Sequence, residues 1–331
     1  MLDDNTLLIG VLSVVCIVVG TLVFFKFSKP PTVLPQEDFK KYPLIRKETL
    51  SHDTRRFTFG LPKGHVLGLP TGQHISLRFK DADGKMVQRS YTPVSDNSTV
   101  GEVSLVIKVY MAGVHPQFPE GGKMSQHLDS LKIGDTIEMK GPKGHMEYLM
   151  GGKFTVKPLG KPVESRQTNQ IIMIAGGTGI TPMLQILHFI FHNPGDPSIK
   201  VKLLYANQST CPFCRRRTST WIHDFVTHRF SFLAFFLKTA ENDILVREEL
   251  ETLAAKFPDR FSLHYTLDRP PEGWKYSSGF INKEMIEKHC LFQNSSKNTQ
   301  VFMCGPPPMI KFACQPNLEQ LGFTDKEMVI F

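Results

Sequence analysis

The chain has 331 residues, a formal charge of +8 and ordinary hydrophobic content, enough for two domains with full cores. The basic balance favours an acidic partner or a membrane surface, and no lysine/arginine run is dense enough to argue for nucleic acid. The scattered cysteines Cys16, Cys211, Cys214, Cys290, Cys304 and Cys314 form no disulfide framework, which favours a reducing compartment.

Leu7–Phe25 is an almost unbroken apolar stretch without a charge, long enough to cross a bilayer. A secretory signal peptide fits less well, because Asp3 and Asp4 precede the stretch and no small-residue cleavage pattern precedes Lys26. Lys26 and Lys29 follow it, so the positive-inside rule leaves the rest of the chain in the cytosol. Leu2 excludes N-terminal myristoylation. Residues 1–29 are therefore expected to be a membrane anchor, and 30–39, with Pro30, Pro31 and Pro35, a stiff spacer.

From Tyr42 to about Lys143 the pattern is antiparallel β. Arg56–Phe59, Ile75–Phe79 and Val103–Tyr110 are apolar or alternating and rich in β-branched residues, and Asp83-Gly84 is a hairpin signal. A small barrel or sandwich over residues 40–150 is expected. Residues 151–170, rich in glycine, proline and lysine, read as an interdomain linker.

Residues 171–331 alternate strand and helix. Strands are predicted at Ile171–Ala175, Val201–Tyr205, Phe261–Leu267 and Gln300–Cys304. Helices are predicted at Pro182–Phe191, Ile244–Lys256, Lys283–Lys288 and Pro308–Leu321. This alternation predicts a doubly wound parallel sheet.

Six motifs carry the chemistry. Gly176, Gly177, Thr178 and Gly179 follow the buried strand Ile171–Ala175, and Thr181-Pro182 reads as N-cap and first helical residue. Strand, glycine turn and helix N-terminus make an anion site, though an ordinary tight turn has the same residues. Arg89-Ser90-Tyr91-Thr92 ends a strand. Its arginine is either a bidentate pyrophosphate fork or a solvated charge. In Val106–Tyr110, Lys108 either snorkels to solvent or faces a phosphate. Gly121-Gly122-Lys123-Met124-Ser125 is a second glycine turn before a helix. Asp268 closes a strand, where a carboxylate can accept from a ribose 2′-hydroxyl or simply start a turn. Cys304-Gly305-Pro306-Pro307-Pro308-Met309 is a small, rigid loop on which a flat nicotinamide could rest, with Cys304 proposed as no nucleophile.

In order and spacing these motifs resemble the ferredoxin–NADP reductase superfamily, and within it the NADH–cytochrome b5 reductases. The strings are G-L-P-T-G-Q-H-I (Gly68–Ile75), R-S-Y-T-P, V-I-K-V-Y, G-G-K-M-S-Q, A-G-G-T-G-I-T-P-M, Y-T-L-D-R and C-G-P-P-P-M-I, with terminal Phe331. The resemblance implies an FAD-binding barrel followed by an NADH-binding α/β domain. It implies that Arg89, Ser90, Tyr91, Thr92, Val106, Lys108, Tyr110, Gly122, Lys123, Met124, Ser125 and Thr181 hold FAD, with His74 supporting the flavin side. Gly176, Gly177, Thr178, Gly179, Pro182, Asp268, Phe280, Cys304, Gly305, Pro306 and Met309 would receive NADH. Thr92, Lys108 and Cys304 would lie nearest the chemistry, and no metal is implied. NADH would give a hydride to the flavin, and single electrons would pass to haem in acidic cytochrome b5. Lys123 is the first docking candidate, with Lys40, Lys41 and Lys161 behind it. The membrane would be the endoplasmic reticulum or the mitochondrial outer membrane.

One segment departs from the family. Ala206-Asn207-Gln208-Ser209 is separated from Glu241-Asn242-Asp243-Ile244 by an extra stretch, about 209–240. Zinc on Cys211, Cys214, His223 and His228 is disfavoured by the short middle gap. A partner hairpin or helix built from Phe230–Leu237 is a second reading. The preferred one is translated intron, because Phe, Ser and Leu codons are pyrimidine-rich like an intron end. A catalytically impaired chain and an NADPH-preferring reductase with another acceptor are the alternatives to an active enzyme.

Overall fold

The computed structural model describes residues 30–114, 119–193, 197–208, 244–293 and 298–331. The apolar stretch Leu7–Phe25 and the extra segment 209–240, with its cysteines and histidines, lie outside these. Among the described residues no helix is long and apolar enough to cross a membrane, and no cluster of histidine, cysteine and carboxylate residues is suited to a metal.

Six strands form the first sheet: β1 Lys40–Thr49, β2 Thr54–Gly60, β3 His74–Lys80, β4 Met86–Tyr91, β5 Glu102–Lys108 and β6 Thr136–Lys143. They pair antiparallel in the order β4-β3-β6-β1-β2-β5. Val103, Leu105 and Ile107 of β5 join Phe57, Phe59, Ile75, Leu77 and Met139 in one core. Helix α1, Lys123–Ser130, adds Met124 and Leu128 to it. No ladder joins β4 to β5, so the sheet coils around its core without hydrogen-bonded closure. The two end strands flank the site described below. The N-terminal strap is fastened across this sheet. Val66 N–H donates to the Pro31 carbonyl (3.0 Å), Leu34 N–H to Leu67 (3.0 Å) and Gly141 N–H to Pro35 (3.0 Å). Tyr42 Oη donates to Val33 (2.9 Å).

The segment read as a linker has structure of its own. β7 Met146–Tyr148, β8 Lys153–Val156 and β9 Glu164–Gln167 form an antiparallel meander. Its glycines and lysines mask a short alternation in which Phe154 and Val156 point into the second domain's core.

The second sheet is parallel, in the order β13-β12-β11-β10-β14-β15. Its strands are β10 Gln170–Gly176, β11 Lys200–Asn207, β12 Phe261–Leu267, β13 Ser277–Ser278, β14 Thr299–Cys304 and β15 Met328–Ile330. Along β10, Ile171, Met173 and Ala175 enter a core with helices α2 (Ile180–His192) and α3 (Arg247–Lys256). Ile172 and Ile174 enter the opposite core with α4 (Lys283–Cys290) and a C-terminal helix. That alternation is the signature of a strand covered on both faces. The C-terminal helix, predicted as one α-helix, runs through Pro307–Met309, a π-helical turn Ile310–Cys314 and Gln315–Gln320.

The domains meet along α2. The buried Gln185 amide oxygen accepts from Gly72 N–H (2.7 Å), and its nitrogen donates to the Gln73 carbonyl (3.3 Å). His188 and Arg56 converge on Glu249 at 3.0 and 3.5 Å, and His192 meets Asp96 at 3.2 Å.

Candidate functional site

In the parallel sheet, strands β11 and β12 lie on one side of β10, and β14 and β15 on the other. Connections therefore leave β10 and β14 in opposite directions, opening a crevice at their carboxyl ends, where open α/β sheets bind ligands. Gly176–Gly179 ends β10 and Cys304–Pro306 ends β14. A Cβ on Gly179 would lie 2.2 Å from the Cys304 carbonyl oxygen, so the two loops are in backbone contact and only glycine fits. Gly177 differs: its φ is +53° and a Cβ would meet nothing within 4 Å. Its backbone thus presents a bare surface to the crevice.

The crevice opens into a cavity of about 1330 Å³ between the two domains. Every residue expected to hold a cofactor lines it. From the first domain come His74, Arg89, Ser90, Tyr91, Thr92, Val106, Lys108, Tyr110, Gly122, Lys123, Met124 and Ser125. From the second come Gly176, Gly177, Thr178, Gly179, Thr181, Pro182, Asp268, Phe280, Cys304, Gly305, Pro306 and Met309. The alternative of scattered, unrelated turns predicts no such convergence.

Details differ from expectation. The helix after the first glycine turn starts at Ile180, preceded by a 3₁₀ turn at Gly177–Gly179. Thr181 is therefore inside the first turn, not the N-cap, and its hydroxyl donates to the Thr178 carbonyl (3.2 Å). Gly122 does cap α1, and Ser125 Oγ accepts from Tyr110 N–H (3.1 Å) and donates to the Gly122 carbonyl (3.0 Å). Lys108 neither snorkels to solvent nor faces the cavity with a free charge: its ammonium meets Asp53 at 3.0 Å. Burial pushes the Asp53 carboxyl up, but the Lys108 charge and hydrogen bond outweigh this and hold it below its usual range. Lys123 meets Asp81 at 3.3 Å.

Arg89 is the contrast. Its Nη1 donates to the Gln88 carbonyl (2.7 Å), and among the described residues it forms no ion pair with a carboxylate. A guanidinium facing a cavity without a counter-ion suits an anionic ligand.

Three titratable groups on the wall are shifted toward their neutral forms. Burial raises Tyr91 to about 12 and Cys304 to about 11. Burial, with His145 and Lys143 nearby, lowers His74. A phenol, a thiol and a neutral imidazole offer hydrogen bonds without a nucleophile or a strong base.

Sequence reasoning missed several wall residues. Asn207 and Gln208 end β11 at the rim, and Asn207 Nδ2 is buried with no hydrogen-bond partner among the described residues. Their string A-N-Q-S was visible, but only as an edge of the extra segment. Gly72, Gly144, His145 and Met146 form another wall, and Phe331 a further one. Phe331 N–H donates to Met303 (2.9 Å) and its ring packs edge-on to Phe302.

Comparison with known proteins matches this division. A family model described as an oxidoreductase FAD-binding domain covers residues 41–148. An oxidoreductase NAD-binding domain covers 173–235 and 222–315, two pieces that meet inside the extra segment. The Xenopus tropicalis protein NADH-cytochrome b5 reductase 2 is 47% identical over 298 residues, spanning 89% of this chain and 86% of its own. The Bos taurus protein NADH-cytochrome b5 reductase 1 is 44% identical over 322 residues, spanning 96% and 94%. The chain belongs to the NADH–cytochrome b5 reductase family. Among solved structures, the cytochrome b5 reductase domain of Ulva prolifera nitrate reductase superposes with a TM-score of 0.76. It is 42% identical and covers 91% of this chain and 100% of that one. As an NADH–cytochrome b5 reductase, the chain has an antiparallel FAD-binding domain, a parallel-sheet NAD-binding domain, and the cavity between them.

Proposed function

We propose that this cavity holds FAD on its first-domain wall and NADH on its second, and that the chain reduces cytochrome b5. The residues fit both cofactors. Arg89, which has no carboxylate partner among the described residues, and the glycine-capped α1 suit the FAD pyrophosphate, and the bare Gly177 backbone suits the nicotinamide nucleotide. When bound, the cofactors supply the redox chemistry: hydride from nicotinamide to flavin, then single electrons to haem.

The chain's part is placement. Arg89 would hold the pyrophosphate, Tyr91 and Thr92 would lie beside the flavin, and Val106 and Met124 would give it an apolar wall. Ser90, Tyr110, Gly122, Lys123, Ser125 and Thr181 complete that side, and His74 supports it as a neutral imidazole. The Lys108–Asp53 pair stiffens the end of β5 beneath it. Gly176, Gly177, Thr178, Gly179 and Pro182 cradle the nucleotide phosphates. Asp268 accepts from a ribose 2′-hydroxyl and repels a 2′-phosphate, which favours NADH over NADPH. Cys304, Gly305, Pro306 and Met309 form a shelf for nicotinamide, with Phe280 at its mouth. The protonated Cys304 thiol is a small wall, not a reagent.

The observation that carries this reading is the convergence of Arg89 and both glycine-led helix starts on one cavity at the sheet's switch point. Leu7–Phe25 anchors the chain in the endoplasmic reticulum or mitochondrial outer membrane, domains facing the cytosol. A second reading, an impaired enzyme, has one observation in its favour: Gln208 and Leu245, which flank the extra segment, both line the cavity. Flavin content together with NADH-driven cytochrome b5 reduction tests the proposal. The soluble form for this assay should begin at Pro30, because starting at Pro35 would remove the strap. Purified protein without flavin, or flavin-loaded protein that NADH does not reduce, would overturn it.

A further inference from the structure

The strap fixes which side of the molecule can face a membrane. The apolar run ends at Phe25, and the Pro31 carbonyl is already bonded to Val66 N–H (3.0 Å). Fully extended, the residues between span about 20 Å, at about 3.3–3.6 Å each. About 5–8 Å of that lies within the interfacial layer on one side of the bilayer. A body of this size has a radius of gyration of about 18 Å and is about 45 Å across. The tether is shorter than the body is wide, so the end carrying Pro31 has to face the bilayer.

The surface there is built for such contact. Val66 pairs with Thr32 on one side and Val100 on the other, so Val100 lies one strand beyond Val66, roughly 10 Å from the strap at this end of the sheet. Val100 is 51% exposed, and Ile45, beside the strap in a shallow groove, is 42% exposed. Lys40 and Lys41 line the same groove, and the exposed Lys63 is in the Pro62–Val66 loop that holds the strap. The exposed acids near it are Glu37, Asp38 and Asp135, whose carbonyl accepts from Leu44 N–H, while Glu102 is paired with Arg46 at 3.1 Å; Lys40, Lys41 and Lys63, with Lys26 and Lys29 nearby in sequence, outnumber the three.

Resting on the anchor reading above, we propose that this strap end is a lipid-contact surface. Val100 and Ile45 enter the headgroup layer of an anionic membrane, and Lys40, Lys41 and Lys63 meet lipid phosphates. The tethered enzyme would thus have one orientation on its membrane instead of a freely swinging one.

The test uses the full chain, with Cys16, Cys211 and Cys214 changed to serine, reconstituted in vesicles containing phosphatidylserine. A fluorophore is placed on Val100→Cys or on Glu287→Cys. Glu287 is exposed on α4, on the sheet face opposite the first domain. Spin-labelled lipid headgroups should quench the Val100 site at least threefold more than the Glu287 site. A chain that fails to float with vesicles overturns the anchor reading, and this proposal with it. A chain that floats but shows equal quenching at both sites leaves the anchor standing and overturns the orientation. The triple variant Lys40→Glu, Lys41→Glu, Lys63→Glu should halve the Val100 quenching in phosphatidylserine vesicles. Unchanged quenching would refute the phosphate contacts.

Discussion

Gln185 offers a direct probe of how the two domains are held. Gln185 is 4% exposed, and its side chain bonds both Gly72 N–H at 2.7 Å and the Gln73 carbonyl at 3.3 Å. Gln185→Met keeps the length and apolar stem but removes both polar atoms. Gly72 cannot turn its N–H elsewhere, because its φ is +92° and Met146 fills the space a Cβ would take. Leaving a buried donor unpaired costs about 1–3 kcal/mol. At about 2–4 °C per kcal/mol for a chain of this order, the melting temperature should fall by about 2–12 °C. The assay is thermal unfolding of the flavin-loaded protein, followed by flavin fluorescence and far-ultraviolet circular dichroism. The helix bearing Gln185 begins at the glycine cradle, so KM for NADH should also rise more than kcat falls. A melting temperature within 1 °C of the parent in both signals would refute the argument that this amide ties the domains together.

Other outcomes follow from the same geometry. Asp268→Thr should narrow the NADH/NADPH preference by about tenfold or more, since a hydrogen bond to a charged group is worth about 1.5–3 kcal/mol; an unchanged ratio of kcat/KM values would place ribose recognition elsewhere. Arg89→Ala should lose flavin on purification, and full occupancy would reduce Arg89 to a surface charge. Asp53→Asn, which strands the Lys108 ammonium, should cost about 1–3 kcal/mol at neutral pH. The Asp53 carboxyl titrates below its usual value, so its contribution is complete above about pH 4 and fades as the pH falls through the lower folded value. Urea titrations of parent and variant should therefore converge in acid, and a gap persisting there would refute the pairing. Deleting Thr210–Ala240 should raise soluble yield and cytochrome b5 reduction per flavin; lost flavin would make the segment part of the fold.

The parts of this molecule visible in the sequence are those where local chemistry and tertiary structure agree. Phe261–Leu267 is a strand with the predicted bounds, and Gly122 caps a helix where two glycines precede an apolar repeat. The expected cofactor residues share one cavity because glycine turns, strand ends and small loops are all dictated locally. The misses come from partners far away in sequence. β1 reads as mixed polar chain, and only pairing with β2 and β6 makes it a strand. Residues 151–170 read as a linker because the packing partner of Phe154, Phe302, is distant in sequence. The Lys108 ammonium could not be assigned without Asp53, which comes from the β1–β2 turn.

The chain leaves β11 at Gln208 and re-enters the described fold at Ile244, with Gln208 and Leu245 both on the cavity wall. Closing a longer loop costs little, about 0.6 kcal/mol per doubling. A change of length at this one junction therefore costs the fold little in loop entropy, while both of its ends sit on the wall of the cavity.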